Sequence, residues 1–311
     1  MKFCLIGPGI MEIPPKGWGA VESLIWEYAE ALRQFGHEVD IINVPDRNEI
    51  IKLENNKIYD VTHVHYDVFY EILPYMKAKK VLISSHYPYV DQKEKHAQDD
   101  YGRIYDYMIK HSDKYKIAAI SSKDANAFIA DDVAPWNIMV IPNGVNLNKI
   151  TCNHQLGPMS FAAVCLAKIE NRKRQHITFP LPNVYYIGKG PCSHPNYLGE
   201  LSQEDKEQKL TNFGCMILLS NGENSTPLAI KEGMAAGLNI IVSEQASSEI
   251  LGLKFVTVIP DHLVYDTQYI QKIIIESSAQ NIKDRESIRK YCQENWSWEK
   301  LVEDYVKKVS V

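Results

Sequence analysis

The chain has 311 residues, of which 45% are hydrophobic and 23% charged, with a formal net charge of −5. Such a chain is an ordinary globular protein of about two domains, and its negative balance excludes a surface built mainly for nucleic acid. Six cysteines, at 4, 152, 165, 192, 215 and 292, show no CxxC pair or metal-ligand spacing, which predicts reduced core residues of a reducing, cytoplasmic compartment.

Residues 2–6 read as a buried strand and are too short an apolar run for a signal peptide. The glycine-bearing loop of residues 7–19 follows. Val21, Leu24, Ile25, Tyr28, Leu32 and Phe35 recur at helical spacing, and Gly36 ends that helix. Further strands are predicted over 37–43, 60–65, 80–84, 116–120 and 137–141, with helical stretches over 68–76 and 122–130. Strands alternating with helices mean a mostly parallel sheet covered on both faces. Residues 142–158 are polar and turn-rich and set a boundary between domains 1–150 and 151–296. Strands then resume over 160–165, 184–187, 215–219, 240–242 and 255–258. The end is helical: 266–279, 284–294, and a last helix within 297–311 expected to return to the first domain. No run reaches the roughly 18 apolar residues of a membrane span, while a peripheral membrane contact stays open.

The most informative stretch is 220–243. After the strand of 215–219 come polar, carboxylate-bearing residues and then a helix over about 226–236, stopped by Gly237. Thr226 is the expected N-cap and Pro227 the N1 residue, where a missing N–H costs nothing. The free amides and positive dipole end of such a helix suit an anion. Glu232, about a turn and a half later, suits a hydroxylated group attached to that anion. A phosphate beside a sugar meets both demands.

With these residues in view, the chain resembles the family 4 glycosyltransferases along nearly its full length. Gly17-Trp-Gly-Ala-Val-Glu22 is similar to that family's glycine-rich loop. Gly36-His-Glu-Val39, Asp60-Val-Thr-His63, Ile141-Pro-Asn-Gly-Val145, Tyr197-Leu-Gly199 and Ser297-Trp-Glu299 match further positions in order. Ala167-Lys168 with Lys173 resembles the Gly-Arg…Lys pair that opens the second domain. The resemblance implies an α/β protein of the GT-B fold, two Rossmann-like domains whose parallel sheets face each other across a cleft. It implies a retaining, metal-independent transfer of a sugar from a nucleotide-diphosphate sugar, of UDP or GDP type, to a glycan or other hydroxyl acceptor. The nucleotide sugar is then a substrate, and no cofactor is expected.

Site roles follow from the same resemblance. Lys168 and Lys173 would contact the diphosphate, with Lys168 standing where the family has Arg and losing its bidentate geometry. Glu232 matches the second Glu of a Glu-x7-Glu pair and would bind the ribose hydroxyls. Eight residues earlier stands Asn224 rather than Glu, so either Glu223 serves through a one-residue bulge or Asn224 makes weaker sugar contacts. Backbone amides around Ser225, Thr226, Pro227 and Leu228 would hold the distal phosphate. Gly17 and Gly19 would let backbone approach the diphosphate or acceptor. His86, at a strand end, matches a histidine near the transferred sugar, whereas His63 and His65 match structural positions. Tyr87 and Tyr89 stand among many first-domain tyrosines that could stack on a glycan or simply pack. Gly7-Pro-Gly9 lacks the third glycine of a dinucleotide fingerprint. Two other readings remain: a non-catalytic nucleotide-sugar-binding protein and a sugar-nucleotide epimerase of similar fold. The acidic-pair departure motivates the first.

Overall fold

Two all-parallel sheets organise the molecule. The first has the order β2-β1-β3-β4-β5-β6, from β1 (Lys2–Ile6), β2 (Glu38–Ile42), β3 (Val61–Val64), β4 (Lys80–Ile83), β5 (Lys116–Ala119) and β6 (Ile138–Val140). The second has the order β11-β10-β9-β7-β8, from β7 (Met159–Leu166), β8 (Val184–Ile187), β9 (Phe213–Leu218), β10 (Asn239–Ser243) and β11 (Val256–Ile259). A computed structural model describes every residue except Trp18, Asp91, Ala97, Gln98, residues 154–156, Asn224, Ser248 and Val311, and at Lys95 the backbone alone. Parallel strands covered on both faces need unbroken apolar runs. Every residue of Phe-Gly-Cys-Met-Ile-Leu in β9 and of Asn-Ile-Ile-Val-Ser in β10 is accordingly buried.

Met1–Asn143 and Trp298–Val311 form one compact unit, and Gly144–Ser297 forms the other. The division falls a few residues before the predicted boundary at 150. Residues 144–150 are held by the second unit: Val145 N–H donates to Trp296 O at 3.0 Å, and Arg289 donates to Ile150 O at 3.0 Å.

In the first unit, α1 (Ala20–Gln34), α2 (Arg47–Asn55), α3 (Lys93–His96), α4 (Asp100–Lys110) and α5 (Ser122–Ala130) link the strands. The predicted helix over 68–76 is instead a 3-10 helix, Asp67–Tyr75, with Pro74 in its last turn. The sequence missed α2, which has a short apolar face but a clear start, Asp46 accepting from Glu49 N–H at 2.7 Å. The last helix, α9 (Trp298–Ser310), belongs to this unit. Its Trp298 ring meets Tyr28 of α1 edge-on at 4.6 Å.

The second unit carries α6 (Gln203–Lys209), α7 (Leu228–Ala235) and α8 (Thr267–Trp296). Residues 266–294, predicted as two helices, are one 30-residue helix, since neither Gly nor Pro interrupts 280–283. The polar residues there serve the packing. Asn281 Nδ2 donates to Gly237 O (2.6 Å) and Asn239 Oδ1 (2.9 Å). Buried Arg285 donates to Asn153 O (3.0 Å), Thr211 O (2.6 Å), Phe213 O (2.7 Å) and Asn281 Oδ1 (2.6 Å). Gly237, at φ +81°, ends α7 where an added Cβ would lie 2.4 Å from Arg285 Cγ. Replacing Arg285 by Met orphans these carbonyls, so a loss of about 3–5 kcal/mol is expected. Urea unfolding checks it, and a variant within about 1 kcal/mol of wild type would show that the network is not structural.

Candidate active site

Strand order places the site. In open parallel sheets, ligands bind beyond the carboxyl ends of strands, where the order reverses. The second sheet reverses between β7 and β9, since the chain goes from β7 to β8 on one side and resumes at β9 on the other. Lys168 and Lys173 follow β7, and residues 220–228 follow β9. The first sheet reverses between β1 and β3. The loop of residues 7–19 follows β1, His65 follows β3, and His86 follows β4.

In the second unit, Lys173 Nζ donates to Glu223 Oε1, with both side chains nearly buried. Arg172 reaches the same oxygen at 3.2 Å, the Gly222 carbonyl at 2.5 Å and Glu170 at 3.1 Å. Lys168 lies 3.5 Å from Glu170 and is 65% exposed. The result is a string of alternating charge: Lys168, Glu170, Arg172, Glu223, Lys173. Of the two candidates for the first acidic position, Glu223 faces the cations, and Asn224 lies outside the described residues. The neighbouring strand end is tightly fitted, because a Cβ on Gly188 would sit 1.8 Å from Ala167 O. Ile169 N–H donates to Lys189 O at 2.8 Å, which fixes the segment bearing Lys168. Arg174 adopts a left-handed conformation at φ +53°, a strained choice for a residue with a side chain, and nothing in the sequence signals it.

The start of α7 differs from the prediction by one residue. Pro227 is the N-cap, no side chain caps the helix, and Thr226 Oγ1 is buried with no hydrogen-bond partner. Thr226 N–H instead donates to Glu249 Oε2 at 3.3 Å. Ser225 and Thr226 are buried, while Pro227 and Leu228 are half-buried. Ile230 N–H turns back to Pro227 O at 3.0 Å, so the first-turn donors that helix geometry leaves over are those of Leu228 and Ala229, a set that suits an anion. Glu232 accepts from Lys206 Nζ at 2.6 Å. One residue earlier, Lys231 is fully buried, its ammonium 4.9 Å from the Trp296 ring centre. Burial lowers its pKa to about 8, against the pull of Glu249. Lys206, Lys231, Arg172 and Glu249 were all missed from sequence, where each reads as an ordinary polar surface residue.

In the first unit, Asn43 at the end of β2 pins the glycine-bearing loop as a neighbouring strand would. Its Oδ1 accepts from Gly9 N–H at 2.8 Å, and its Nδ2 donates to Met11 O at 2.7 Å. Gly17 is exposed and Gly19 buried. A Cβ on Gly19 would lie 2.9 Å from Glu22 Oε2, so glycine lets the loop close onto the first turn of α1. Three histidines form a ladder: His63 on His65 (3.9 Å between ring centres) and His65 on His86 (5.7 Å). Ser84 Oγ donates to Ala118 O at 2.8 Å, so it accepts from His63 Nε2 at 2.8 Å. His63 Nδ1 then accepts from Tyr305 of α9 at 3.2 Å. This network assigns His63 as the neutral Nε2–H tautomer. His65 Nδ1 and His86 Nε2 are 3.4 Å apart. Tyr89 is 1% exposed and donates to buried Asp67 at 2.5 Å, so it cannot stack on a ligand. Tyr87 is exposed, with its ring stacked on Tyr101 at 4.7 Å. Among the described residues, no three His, Cys, Asp or Glu side chains group as a metal-ligand set, and no helix is long and apolar enough to cross a membrane.

Solved structures share the fold over almost the whole chain. HepE from Anabaena, crystallised with UDP-glucose, matches with a TM-score of 0.73 at 14% identity, covering 100% of this chain and 99% of its own. Sucrose-phosphate synthase from Thermosynechococcus elongatus matches at 0.74 and 13%, covering 98% and 97%. AviGT4, a glycosyltransferase involved in avilamycin A biosynthesis, matches at 0.72 and 14%, covering 99% and 97%. The chain has the GT-B fold. No family model and no curated protein matches the sequence, so the GT-B assignment rests on three-dimensional likeness. Within this GT-B chain, the described candidates fall into three groups: Lys168, Lys173 and Glu223 joined by charge; Ser225 to Pro227 before α7 with Leu228 and Glu232 on it; and His86, Gly17 and Gly19, which share the first unit.

Two outcomes follow from these groups. Burial lowers the pKa of His63 to about 3 and of His86 to about 4, from an ordinary 6.5, and holds His65 well below it. Below pH 6.5 the unfolded chain binds protons that the folded chain refuses. Stability is therefore complete above pH 6.5 and falls as pH drops towards 4, by about 1.4 kcal/mol per pH unit for each histidine. A His63→Gln variant is expected to show a shallower decline of urea midpoint between pH 6.5 and 5; equal slopes would contradict neutral burial. Separately, Glu223→Gln takes the carboxylate partner from Lys173 and leaves Arg172 with Glu170 alone. Its melting temperature is expected to fall by several degrees, and added pyrophosphate to recover part of that fall; an unchanged melting temperature would remove Glu223 from the cluster.

Proposed function

We propose that this chain is a retaining, metal-independent glycosyltransferase of family 4 type that moves a sugar from a nucleotide-diphosphate sugar to a glycan or other hydroxyl acceptor. The observation that carries the reading is the convergence, at the reversal point of the second sheet, of the cations after β7 and the uncapped α7 start after β9. Glu232 stands farther along the same helix. HepE was crystallised with UDP-glucose, which supports a nucleotide sugar as donor.

In this reading the bond from the anomeric carbon to the diphosphate oxygen breaks, and a bond to the acceptor oxygen forms on the same face of the sugar. The acceptor's proton goes to the leaving phosphate. Negative charge grows on that phosphate, so donors fixed beforehand lower the barrier. Lys173, Lys168 and the backbone N–H groups of Ser225 and Leu228 have that role, with the Thr226 N–H available once it leaves Glu249; Pro227 has no N–H to give. Glu223 receives hydroxyls of the transferred sugar once the diphosphate draws Lys173 away, and Glu232 receives those of the ribose. A carboxylate has about four acceptor positions, enough for two hydroxyls and a cation. The first unit supplies the acceptor-side residues, with His86 and the Gly17–Gly19 loop as its candidates and exposed Tyr87 as a stacking face. The six free cysteines suit a reducing, cytoplasmic setting.

A binding protein without turnover is the second reading. It is favoured by one observation, that Glu223 already neutralises Lys173 and Arg172.

A thermal-shift panel of UDP, GDP, ADP and CMP with their sugar conjugates tests the donor site on wild type and Glu232→Ala. A ligand at about 100 times its Kd adds roughly 2.7 kcal/mol, on the order of 5–10 °C here. The expected result is a clear shift with one nucleotide that the variant loses. No shift with any nucleotide would overturn the reading. A shift without nucleotide release in the presence of any acceptor would favour the binding protein.

A further inference from the structure

The short helix α6 reads Gln-Glu-Asp-Lys-Glu-Gln-Lys. It has no apolar residue, so its pattern describes a helix lying wholly in water. Ser202 caps it, accepting from Asp205 N–H at 3.1 Å. Yet Lys206 is turned inward and only 8% exposed, and its ammonium meets Glu232 Oε1 at 2.6 Å. Both side chains of this pair are largely covered, at 10% and 17%. Burying two charges is costly, and an apolar pair of similar volume is often as stable or more so. Stability alone therefore gives little reason for a lysine at this position.

The pairing has a geometric effect. An ammonium on Oε1 fixes the rotation of the Glu232 carboxylate while using one of its four acceptor positions. Oε2 and the remaining position on Oε1 are left in a set orientation. Two neighbouring hydroxyls on one ring need that arrangement, because each must meet its own oxygen at the correct angle.

We propose that Lys206 is a positioning residue of the nucleotide site, holding the Glu232 carboxylate so that it distinguishes a ribose from a deoxyribose. The proposal rests on the reading of Glu232 as the ribose-binding carboxylate. Lys206 itself touches neither the phosphates nor the sugar being transferred; it acts through Glu232. Replacing it by methionine keeps the length and apolar stem of the side chain and removes the charge. The carboxylate is then free to rotate, and binding of a ribose loses its advantage over binding of a deoxyribose.

Titration calorimetry with UDP, GDP, dUDP and dGDP tests this on wild type, Lys206→Met, Lys206→Arg, Glu232→Gln and the Lys206→Met/Glu232→Gln double variant. Wild type is expected to prefer the ribonucleotide by about tenfold or more, as for hydrogen bonds to a charged acceptor. Lys206→Met should bring the ratio close to one, and Lys206→Arg should keep most of it. The double variant should bind no more weakly than Glu232→Gln alone, because the lysine has nothing left to orient. A ribonucleotide preference unchanged in Lys206→Met overturns the proposal and leaves the donor site standing. Wild type binding ribo- and deoxyribonucleotides equally overturns the ribose role of Glu232 and the proposal with it. Binding of none of the four overturns the donor site as well. If Lys206→Met fails to fold, Lys206→Gln supplies the same ratio.

Discussion

The guanidinium of Arg285 is the fixed point of the second unit. It ties the Asn153 carbonyl, the turn before β9 and, through Asn281, the end of α7 at Gly237. A helix fixed at one end has its other end placed as well, and the start of α7 is where the candidate site lies. The same contacts set where β9 begins, and hence where residues 220–228 leave the sheet. A buried charge with all its donors used tolerates little displacement. The site thus inherits its geometry from a network that contains none of its own residues.

How much of this was legible in the sequence depends on the kind of signal. Apolar runs marked the parallel strands because burial on both faces leaves no other pattern, and Gly237 marked the end of α7 because only glycine fits there. Glu223 and Glu232 were proposed through spacing and resemblance. Lys206 was not, since an all-polar heptapeptide gives no hint that one of its lysines faces inward. Tyr89 was left open between stacking on a glycan and packing, because sequence does not show that Asp67 is buried beside it and takes its hydroxyl. The break expected within 266–294 failed for a related reason: sequence does not show that Asn281 spends its side chain on Gly237 and Asn239.

The charged residues of the site share one habit. Lys173 and Arg172 rest on Glu223, Glu232 rests on Lys206, and the Thr226 amide rests on Glu249. Each charged side chain that an anionic, hydroxylated ligand would use already has an internal partner. Such pairs limit the desolvation cost of keeping charges in a half-buried place. They also mean that an incoming ligand exchanges one partner for another, so binding strength reflects a difference between two good interactions.

The path of the chain adds a constraint of another kind. The first unit is written in two pieces, Met1–Asn143 and Trp298–Val311, with all of the second unit between them. Trp298 packs on Tyr28, and Tyr305 completes the hydrogen bonding of His63. As the chain emerges from the ribosome, the second unit can close its sheet while the first still lacks α9. The strands made first are therefore completed last, and until then His63 lacks its Tyr305 partner and Tyr28 lacks its Trp298 cover. Order of synthesis and order of completion run in opposite directions in this molecule.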